Sequence, residues 1–280
     1  MKPSLDSRSS RVHPTEENTS SVPIVDIREK WVHNGEVRLH VLDCNERSHP
    51  ADQIPIVFIP GISGIAQDYL PEMATMSPRR SLSISLRGRG NSSAPEKGYG
   101  FEDHVSDITS VIERLDLSGF CLCGFSIGAS FAMGYAVDYP MKLAGMIILD
   151  YPARFPSKHP DSDWLEYALS NPPDRFSPVA ARAFEKTMSN DVLLWDKLNR
   201  LPFPVLVVRG GKPGAMLKAE EAEMYRSRLK DVEVLCFEES DYMVWKPDYI
   251  RYLNTLKTFL DKLDAAGKKV PPRQNAAWSI

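Results

Sequence analysis

The sequence predicts an α/β fold in which a mostly parallel sheet is flanked by helices. Six short apolar runs rich in β-branched residues have the length of strands, and stretches with helical periodicity alternate with them. Continuous apolar runs are typical of strands buried on both faces, as in a parallel sheet. The alternation itself indicates βαβ units and a doubly wound sheet.

The predicted sheet has eight strands, and the first two form a hairpin. The segment KWVHNGEVRLHVLD alternates apolar and polar residues on either side of Asn34-Gly35, a dipeptide favoured in two-residue hairpin turns. The other six strands are predicted in the runs IPIVFIP, SLSISL, GFCLCGF, LAGMIILD, FPVLVVRG and VEVLCFE.

Four helices are predicted, three between these strands and one after the last strand. FEDHVSDITSVIERLD has apolar residues at helical spacing and an acidic first turn, which complements the helix dipole. SIGASFAMGYAVDYP is small and apolar, whereas AEEAEMYRSRLK and PDYIRYLNTLKTFLDKL are amphipathic. The last of these begins with Pro247, a residue favoured in the first turn of a helix.

Four kinds of segment are expected along the chain. Residues 1–22 are polar and predict a disordered arm, and residues 265–280 predict a flexible tail. Residues 23–150 and 201–264 carry the strand–helix alternation of the core. Residues 151–200 contain helical patterns but no convincing strand, and an insertion there would lie over the sheet edge where ligands bind. We therefore expect a helical lid at 151–200.

Composition excludes several broad classes of partner. Of the 280 residues, 25% are charged, and the net charge of -3 gives no general attraction to nucleic acid or anionic membranes. No apolar run is long enough for a membrane helix, and the N-terminus has no apolar core of a secretory signal. Cys121 and Cys123 would share one strand face as core thiols. These features predict a cytoplasmic chain with no metal, no cofactor, no nucleic-acid partner and no membrane partner, and they leave the oligomeric state open.

The strongest motif for chemistry is CGFSIGAS, which contains G-x-S-x-G around Ser126. A strand-like run precedes it and a helix-like run follows, so the motif would form a tight turn that exposes Ser126 at the end of the sheet. The N–H of Ile127 would then point at a bound oxyanion with the positive end of the helix dipole. The glycine loop VFIPGISG offers the N–H of Ile62 as a second donor.

These motifs, together with LRGRGNSSAP, EDHVSDI, ILDYPARFP and VLVVRGGKPG, resemble the α/β-hydrolase superfamily over most of residues 30–262. The resemblance implies an α/β-hydrolase fold with a short helical cap, and a nucleophile, acid and histidine in that chain order. It places the nucleophile at Ser126. It also implies that Arg87 and Arg89 belong to a structural turn with ion pairs to nearby carboxylates.

The sequence departs from that family's pattern at the acid and at the histidine. The loop in which the acid usually lies reads GKPGAML, with no carboxylate. Asp150 occupies a recognised alternative position one strand earlier, where it could orient a base or simply accept backbone N–H groups. The usual histidine loop reads FEESDYMVWKPD, and Asp241 and Tyr242 stand where the family has its Gly-His pair.

Three other groups could support the chemistry of Ser126. His159, in FPSKHP of the predicted lid, is a candidate base. Tyr242 is a poor base because a phenol has a pKa near 10, and it is better suited to donate a hydrogen bond or a proton. Alternatively, Tyr242 has no catalytic role and only occupies the space in which the family has an imidazole. Lys212 could stabilise an anion at the pocket mouth, or be a solvated loop lysine.

Three functions therefore stay open. The first is hydrolysis of a small ester, thioester or amide by Ser126 with an unusual base, which the intact G-x-S-x-G turn and oxyanion loop favour. The second is non-hydrolytic catalysis by an isomerase, epimerase, lyase or cyclase, in which Tyr242, Asp150 or Ser126 moves a proton. The third is a pseudo-hydrolase that has lost catalysis and binds a ligand or a partner.

Overall fold

The fold is described from a computed structural model over residues 26–156, 163–187 and 191–267. These residues contain the following strands: β1 (Ile27–Asn34), β2 (Val37–Cys44), β3 (Ile56–Ile59), β4 (Ser81–Ser85), β5 (Phe120–Phe125), β6 (Leu143–Leu149), β7 (Arg154–Phe155), β8 (Val192–Leu193), β9 (Val205–Gly210) and β10 (Val232–Phe237). The helices are α1 (Leu70–Thr75), α2 (Phe101–Arg114), α3 (Ile127–Asp138), α4 (Trp164–Ser170), α5 (Pro178–Thr187), α6 (Ala219–Arg228) and α7 (Tyr249–Gly267). Short 3₁₀ turns lie at Ala66–Tyr69, Pro140–Lys142 and Trp195–Arg200.

Eight strands form the central sheet, in the order β1-β2-β4-β3-β5-β6-β9-β10. The pairs β1–β2 and β2–β4 are antiparallel, and every later neighbour in this order is parallel. The predicted eight-stranded, mostly parallel α/β sheet is therefore confirmed. In the hairpin, Asn34 pairs with Val37, so the turn residues are Gly35 and Glu36, one position later than predicted.

Helices cover both faces of the sheet and bury two apolar layers. Residues of α2, α3 and α6 belong to the larger layer, and residues of α1 and α7 belong to the other. Alternate residues of β5 point to opposite layers, so Cys121 and Cys123 share the second one. Both thiols are free and buried, as the sequence predicts.

The 151–200 segment differs from the prediction in one respect. Its described part contains α4 and α5, but it also contains a strand pair, because β7 and β8 form a two-stranded antiparallel sheet. The expectation that this segment has no strand was wrong, since strands of two residues leave no readable periodicity. The segment is tied to the core by Arg175, whose guanidinium donates to both carboxylate oxygens of Asp68 at 3.0 and 2.6 Å.

The two arginines of LRGRG have different roles. Arg87 donates to both carboxylate oxygens of buried Asp107 at 2.6 Å, as expected for an ion pair. Arg89 is fully buried, and it donates to the carbonyls of Ile62 at 2.8 Å and Arg87 at 2.6 Å instead of to a carboxylate. Among the described residues Arg89 pairs with no carboxylate, so the ion pair predicted for it is not formed there.

The termini can be compared with the prediction only in part. Helix α7 starts at Tyr249, two residues after Pro247, and continues through Gly267, so the first three residues of the predicted 265–280 tail are helical. The predicted arm at 1–22 and the rest of the tail lie outside the described residues. None of the helices in the described ranges combines the length and the apolar character needed to cross a membrane.

Candidate active site

Ser126 lies at a sharp turn between β5 and α3. Its backbone has φ 52° and ψ -138°, outside the regions that L-residues commonly adopt. The turn is held by two backbone hydrogen bonds, from the Ser126 N–H to the Leu149 carbonyl at 3.1 Å and from the Ala129 N–H to the Ser126 carbonyl at 2.8 Å. A strained residue held in this way is typical of functional sites.

The glycines of the motif allow α3 to cross very close to the sheet. A Cβ added to Gly124 would lie 2.5 Å from the Cα of Ala129, and one added to Gly128 would lie 2.1 Å from the Pro60 carbonyl oxygen. Both distances are too short for any side chain, so only glycine fits. The predicted role of these glycines as spacers of the turn matches this geometry.

Two backbone N–H groups are candidates for binding an oxyanion next to Ser126. Ile127 is the first residue of α3, so its N–H has no partner within the helix. Ile62 lies in the loop after β3 and lines the same cavity as Ser126. Arg89 fixes this loop through its bond to the Ile62 carbonyl. The proposal that Ile62 and Ile127 form an oxyanion hole stays a prediction.

The hydroxyl of Ser126 contacts a thioether. Its Oγ donates to the sulfur of Met216 at 3.4 Å, and within the described residues this is its one hydrogen-bond partner. Sulfur in a thioether is a weak acceptor and has no proton affinity useful at neutral pH. Met216 therefore occupies the neighbourhood of Ser126 without being able to act as its base.

Asp150 is fully buried, and its carboxylate organises the loop that carries Met216. The Gly210 N–H donates to Oδ1 at 3.0 Å, and the Met216 N–H donates to Oδ2 at 2.7 Å. Burial raises the pKa of Asp150 to about 6, although the backbone donors of Met216, Gly210 and Leu217 oppose the shift. Of the two roles that the sequence allows, the structure displays acceptance of backbone N–H groups. A catalytic role stays a prediction.

Tyr242 lines the same cavity as Ser126 and is 41% exposed. Its ring lies nearly parallel to that of Phe125, with the centroids 6.4 Å apart. Burial raises the pKa of Tyr242, and the neighbouring Tyr167 and Asp241 act in the same direction. The phenol is therefore neutral at neutral pH and can donate a hydrogen bond or a proton, but it cannot serve as a base there.

The other two candidate groups have different outcomes. His159 lies outside the described residues, so its role as a base stays a prediction. Lys212 does not contribute to the cavity lining, and its ammonium pairs with Glu239 at 2.7 Å on the surface. This surface position fits the second of its two predicted roles, a solvated loop lysine, and a role of Lys212 at the pocket mouth stays a prediction. Lys218 is a lysine that does line the cavity.

The cavity beside Ser126 has a volume of about 1160 Å³. It lies between the core and the 151–200 segment, since Trp164 and Tyr167 of α4 line it together with core residues. The hydroxyls of Ser63 and Tyr167 are 3.2 Å apart across this boundary. A small organic molecule fits such a volume. No group of histidine, cysteine, aspartate or glutamate side chains in the described ranges is arranged to hold a metal ion.

Several cavity residues escaped the sequence analysis. Met216 lies in the segment GKPGAML, whose one informative feature in the sequence is that it contains no acidic residue. Glu72 is buried at 7% exposure and lines the cavity, and no motif marks it in the sequence. Three aromatic residues near the histidine position also line the cavity, namely Trp245, Tyr249 and Tyr252. The cluster WKPDYIRY was readable only as the start of a helix.

Comparison with known proteins supports the fold independently. A model of the α/β hydrolase fold matches residues 54–210. The N-formylmaleamate deformylase of Pseudomonas putida is 24% identical over 258 residues, covering 80% of this chain and 93% of that protein. The AB hydrolase superfamily protein YisY of Bacillus subtilis is 26% identical over 154 residues, covering 50% of this chain. The match spans only 58% of YisY's own length.

Solved structures show the same architecture. The esterase EaEST of Exiguobacterium antarcticum superposes with a TM-score of 0.69 at 18% identity, covering 84% of this chain and all of that chain. At this identity the likeness concerns the fold alone. The match of the family model covers more than half of the sequence, and it includes the Ser126 turn and the loop of Ile62. The chain therefore belongs to the α/β hydrolase family.

Proposed function

We propose that this chain is an enzyme that binds a small ester, thioester or amide in the Ser126 cavity. The observation that carries the proposal is the strained backbone of Ser126, held at the start of α3 and opening on the cavity. The substrate carbonyl oxygen faces the N–H groups of Ile62 and Ile127, and Ser126 is the attacking group. Hydrolases among the similar proteins, such as the deformylase of Pseudomonas putida, support this choice of reaction class.

The proposed reaction has two steps. In the first, the Ser126 oxygen bonds to the carbonyl carbon, the bond to the leaving group breaks, and the hydroxyl proton passes to the leaving group through a base. In the second, water releases the acid and restores the Ser126 hydroxyl. Since Met216 cannot take the proton, the base has to come from elsewhere, and His159 is the candidate that the sequence supplies.

Labelling with a fluorophosphonate probe followed by intact mass measurement tests the nucleophile. We expect one adduct on the wild type and none on Ser126→Ala. His159→Ala should slow labelling by about 100-fold if the imidazole is the base, and His33→Ala is the matched control because His33 lies on the edge strand β1. A wild type without adduct, and without turnover of nitrophenyl esters, would contradict the proposal.

A second candidate, non-hydrolytic catalysis, is favoured by the contact between Ser126 and Met216. A hydroxyl beside a thioether is better suited to donate a hydrogen bond than to attack. The Asp150 carboxylate would then remove an α-hydrogen of the substrate as a proton, and the oxyanion donors would stabilise the resulting enolate-like anion. The neutral phenol of Tyr242 would protonate that anion, and exchange with solvent would return both groups to their starting protonation states. This function predicts exchange of an α-hydrogen of a ketone or thioester for solvent deuterium, abolished in Tyr242→Phe. Ligand binding without labelling or exchange would instead indicate a pseudo-hydrolase.

A further inference from the structure

Glu72 is a buried acidic residue that lines the cavity beside Ser126, and the proposed carbonyl chemistry does not use it. Glu72 belongs to α1, in the second apolar layer of the fold, and it is 7% exposed. Its Oε2 atom is buried and has no hydrogen-bond partner among the described residues. A carboxylate in this state has unused binding capacity and costs free energy, so a ligand that satisfies it gains affinity.

Nothing in the described part of the chain neutralises this carboxyl. No lysine, arginine or histidine there lies within ion-pair distance of Glu72. Of the three cations that line the cavity, Arg175 is paired with Asp68 and Arg154 lies 3.8 Å from Glu221. The third, Lys218, makes no ion pair with Glu72. Burial raises the pKa of Glu72, while its own backbone N–H and the neighbouring Tyr249 hydroxyl oppose the shift.

Aromatic rings surround the same part of the cavity. Trp245 contacts Phe125 edge to face at a centroid distance of 4.8 Å, and it lies 6.3 Å from Tyr252. Tyr249 and Tyr252 are 5.9 Å apart, and both are close enough to Glu72 to couple with its charge. The Tyr249 hydroxyl lies next to the carboxyl of Glu72, but the geometry between them does not meet the criteria for a hydrogen bond.

We infer that Glu72, with the rings of Phe125, Trp245, Tyr249 and Tyr252, forms a binding site for an organic ammonium group. We name these five residues the Glu72 subsite. A carboxylate supplies the countercharge, and aromatic faces attract a cation through their quadrupoles. A neutral ligand would leave the carboxylate uncompensated, and an anion would be repelled by it. The inference rests on the proposed function only in assigning the carbonyl end of the ligand to Ser126.

Isothermal titration calorimetry with a matched pair of probes tests the subsite. The probes are 4-phenylbutylammonium chloride and 4-phenylbutanol, which share the hydrocarbon and differ in charge. We expect the ammonium probe to bind the wild type at about pH 8 more tightly than the alcohol by about tenfold or more. Glu72→Gln should weaken the ammonium probe by at least about tenfold while changing the alcohol by less than about threefold.

Glu113→Gln is the matched control. It makes the same substitution at an exposed residue of α2 that does not line the cavity. This variant should change the affinity for the ammonium probe by less than about threefold. Circular dichroism and thermal unfolding establish that each variant is folded. If Glu72→Gln does not fold, Tyr249→Leu provides a second test, because it removes an aromatic face but keeps an apolar side chain, with an expected loss of about two- to fivefold for the ammonium probe only.

The outcomes separate this inference from the proposed function. Equal binding of both probes, binding of neither, or an unchanged affinity in Glu72→Gln overturns the ammonium site even when Ser126 is labelled by fluorophosphonate. Ammonium binding that depends on Glu72 supports the subsite even when Ser126 is not labelled, and only the carbonyl chemistry then fails. An ammonium affinity that falls with decreasing pH in the wild type but not in Glu72→Gln would support the charged form of Glu72 as the receptor.

Discussion

The thioether sulfur of Met216 lies 3.4 Å from the Oγ of Ser126, within hydrogen-bond distance of the nucleophile of the proposed reaction. Its backbone N–H is bound to Asp150 at 2.7 Å, so the position of the residue is fixed by a buried carboxylate. The backbone at position 216 is therefore anchored, and the side chain that it places beside Ser126 lacks a basic atom. Replacing Met216 by a basic side chain therefore tests whether the lack of a base next to Ser126 limits hydrolysis.

In the His159→Ala background, which lacks the proposed base, Met216→His should increase the hydrolysis of p-nitrophenyl acetate. An imidazole at this position comes close to Ser126, and a positioned base contributes on the order of 100-fold, so we expect a gain of about 10- to 100-fold in kcat/KM. Spectrophotometric assay of nitrophenolate release measures it. Met216→Leu is the control and should show no gain. An equal rate in the histidine and leucine variants would show that a nearby base does not limit Ser126.

The buried state of Asp150 predicts a pH-dependent stability. Its pKa is raised to about 6, so the folded protein holds the proton more tightly than the unfolded chain does. This contribution to stability is fully present below about pH 4 and is lost as the pH rises to about 6, by roughly 2–3 kcal/mol. Urea unfolding of the wild type and Asp150→Asn measures it as the pH dependence of their difference. A difference that is constant from about pH 4 to 7 would contradict the raised pKa.

Gly128→Ala should destabilise the fold strongly. The new methyl group would lie 2.1 Å from the Pro60 carbonyl oxygen, so α3 or the loop after β3 has to move. We expect a loss of about 3 kcal/mol or more in the free energy of unfolding, and slower labelling of Ser126. Gly267→Ala is the matched control, because a Cβ there meets nothing within 4 Å, and it should change stability by less than about 0.5 kcal/mol. Similar losses in both variants would contradict the close crossing.

Arg89→Lys should loosen the loop of Ile62. The guanidinium of Arg89 binds the Ile62 carbonyl and lies 4.6 Å from the centroid of the Phe176 ring, and an ammonium cannot reproduce both contacts. We expect a loss of about 1–3 kcal/mol in stability and slower labelling of Ser126. Arg38→Lys is the control, since Arg38 is exposed and lies over the Trp31 ring. Unchanged labelling in Arg89→Lys would indicate that Arg89 supports the fold but not the loop.

The sheet and its helices could be predicted from the sequence because local patterns specify them. The buried strands β3, β5, β6 and β9 are continuous apolar runs, and such runs carry their signal within a few residues. The pair β7–β8 was missed for the opposite reason. Each of its strands is two residues long and is stabilised by a partner distant in the chain.

The site was predictable only where a motif fixes the backbone. Ser126 was found because its glycines impose the turn. Met216 and Glu72 contribute through positions in space that no spacing in the sequence encodes. Asp150 is intermediate between a residue marked by a motif and one placed only by folding. Its position after β6 could be predicted from the sequence, but its hydrogen-bond partners, Gly210 and Met216, depend on tertiary packing.

The Asp150 carboxylate accepts a hydrogen bond from the backbone N–H of residue 216, and this bond does not depend on the side chain at that position. The loop is therefore anchored whichever residue stands at that position. Evolution could exchange the group facing Ser126 by a single codon change, with the architecture around it intact. Position 216 can therefore carry different side chains on the same backbone, and relatives that differ there would share one scaffold and catalyse different reactions.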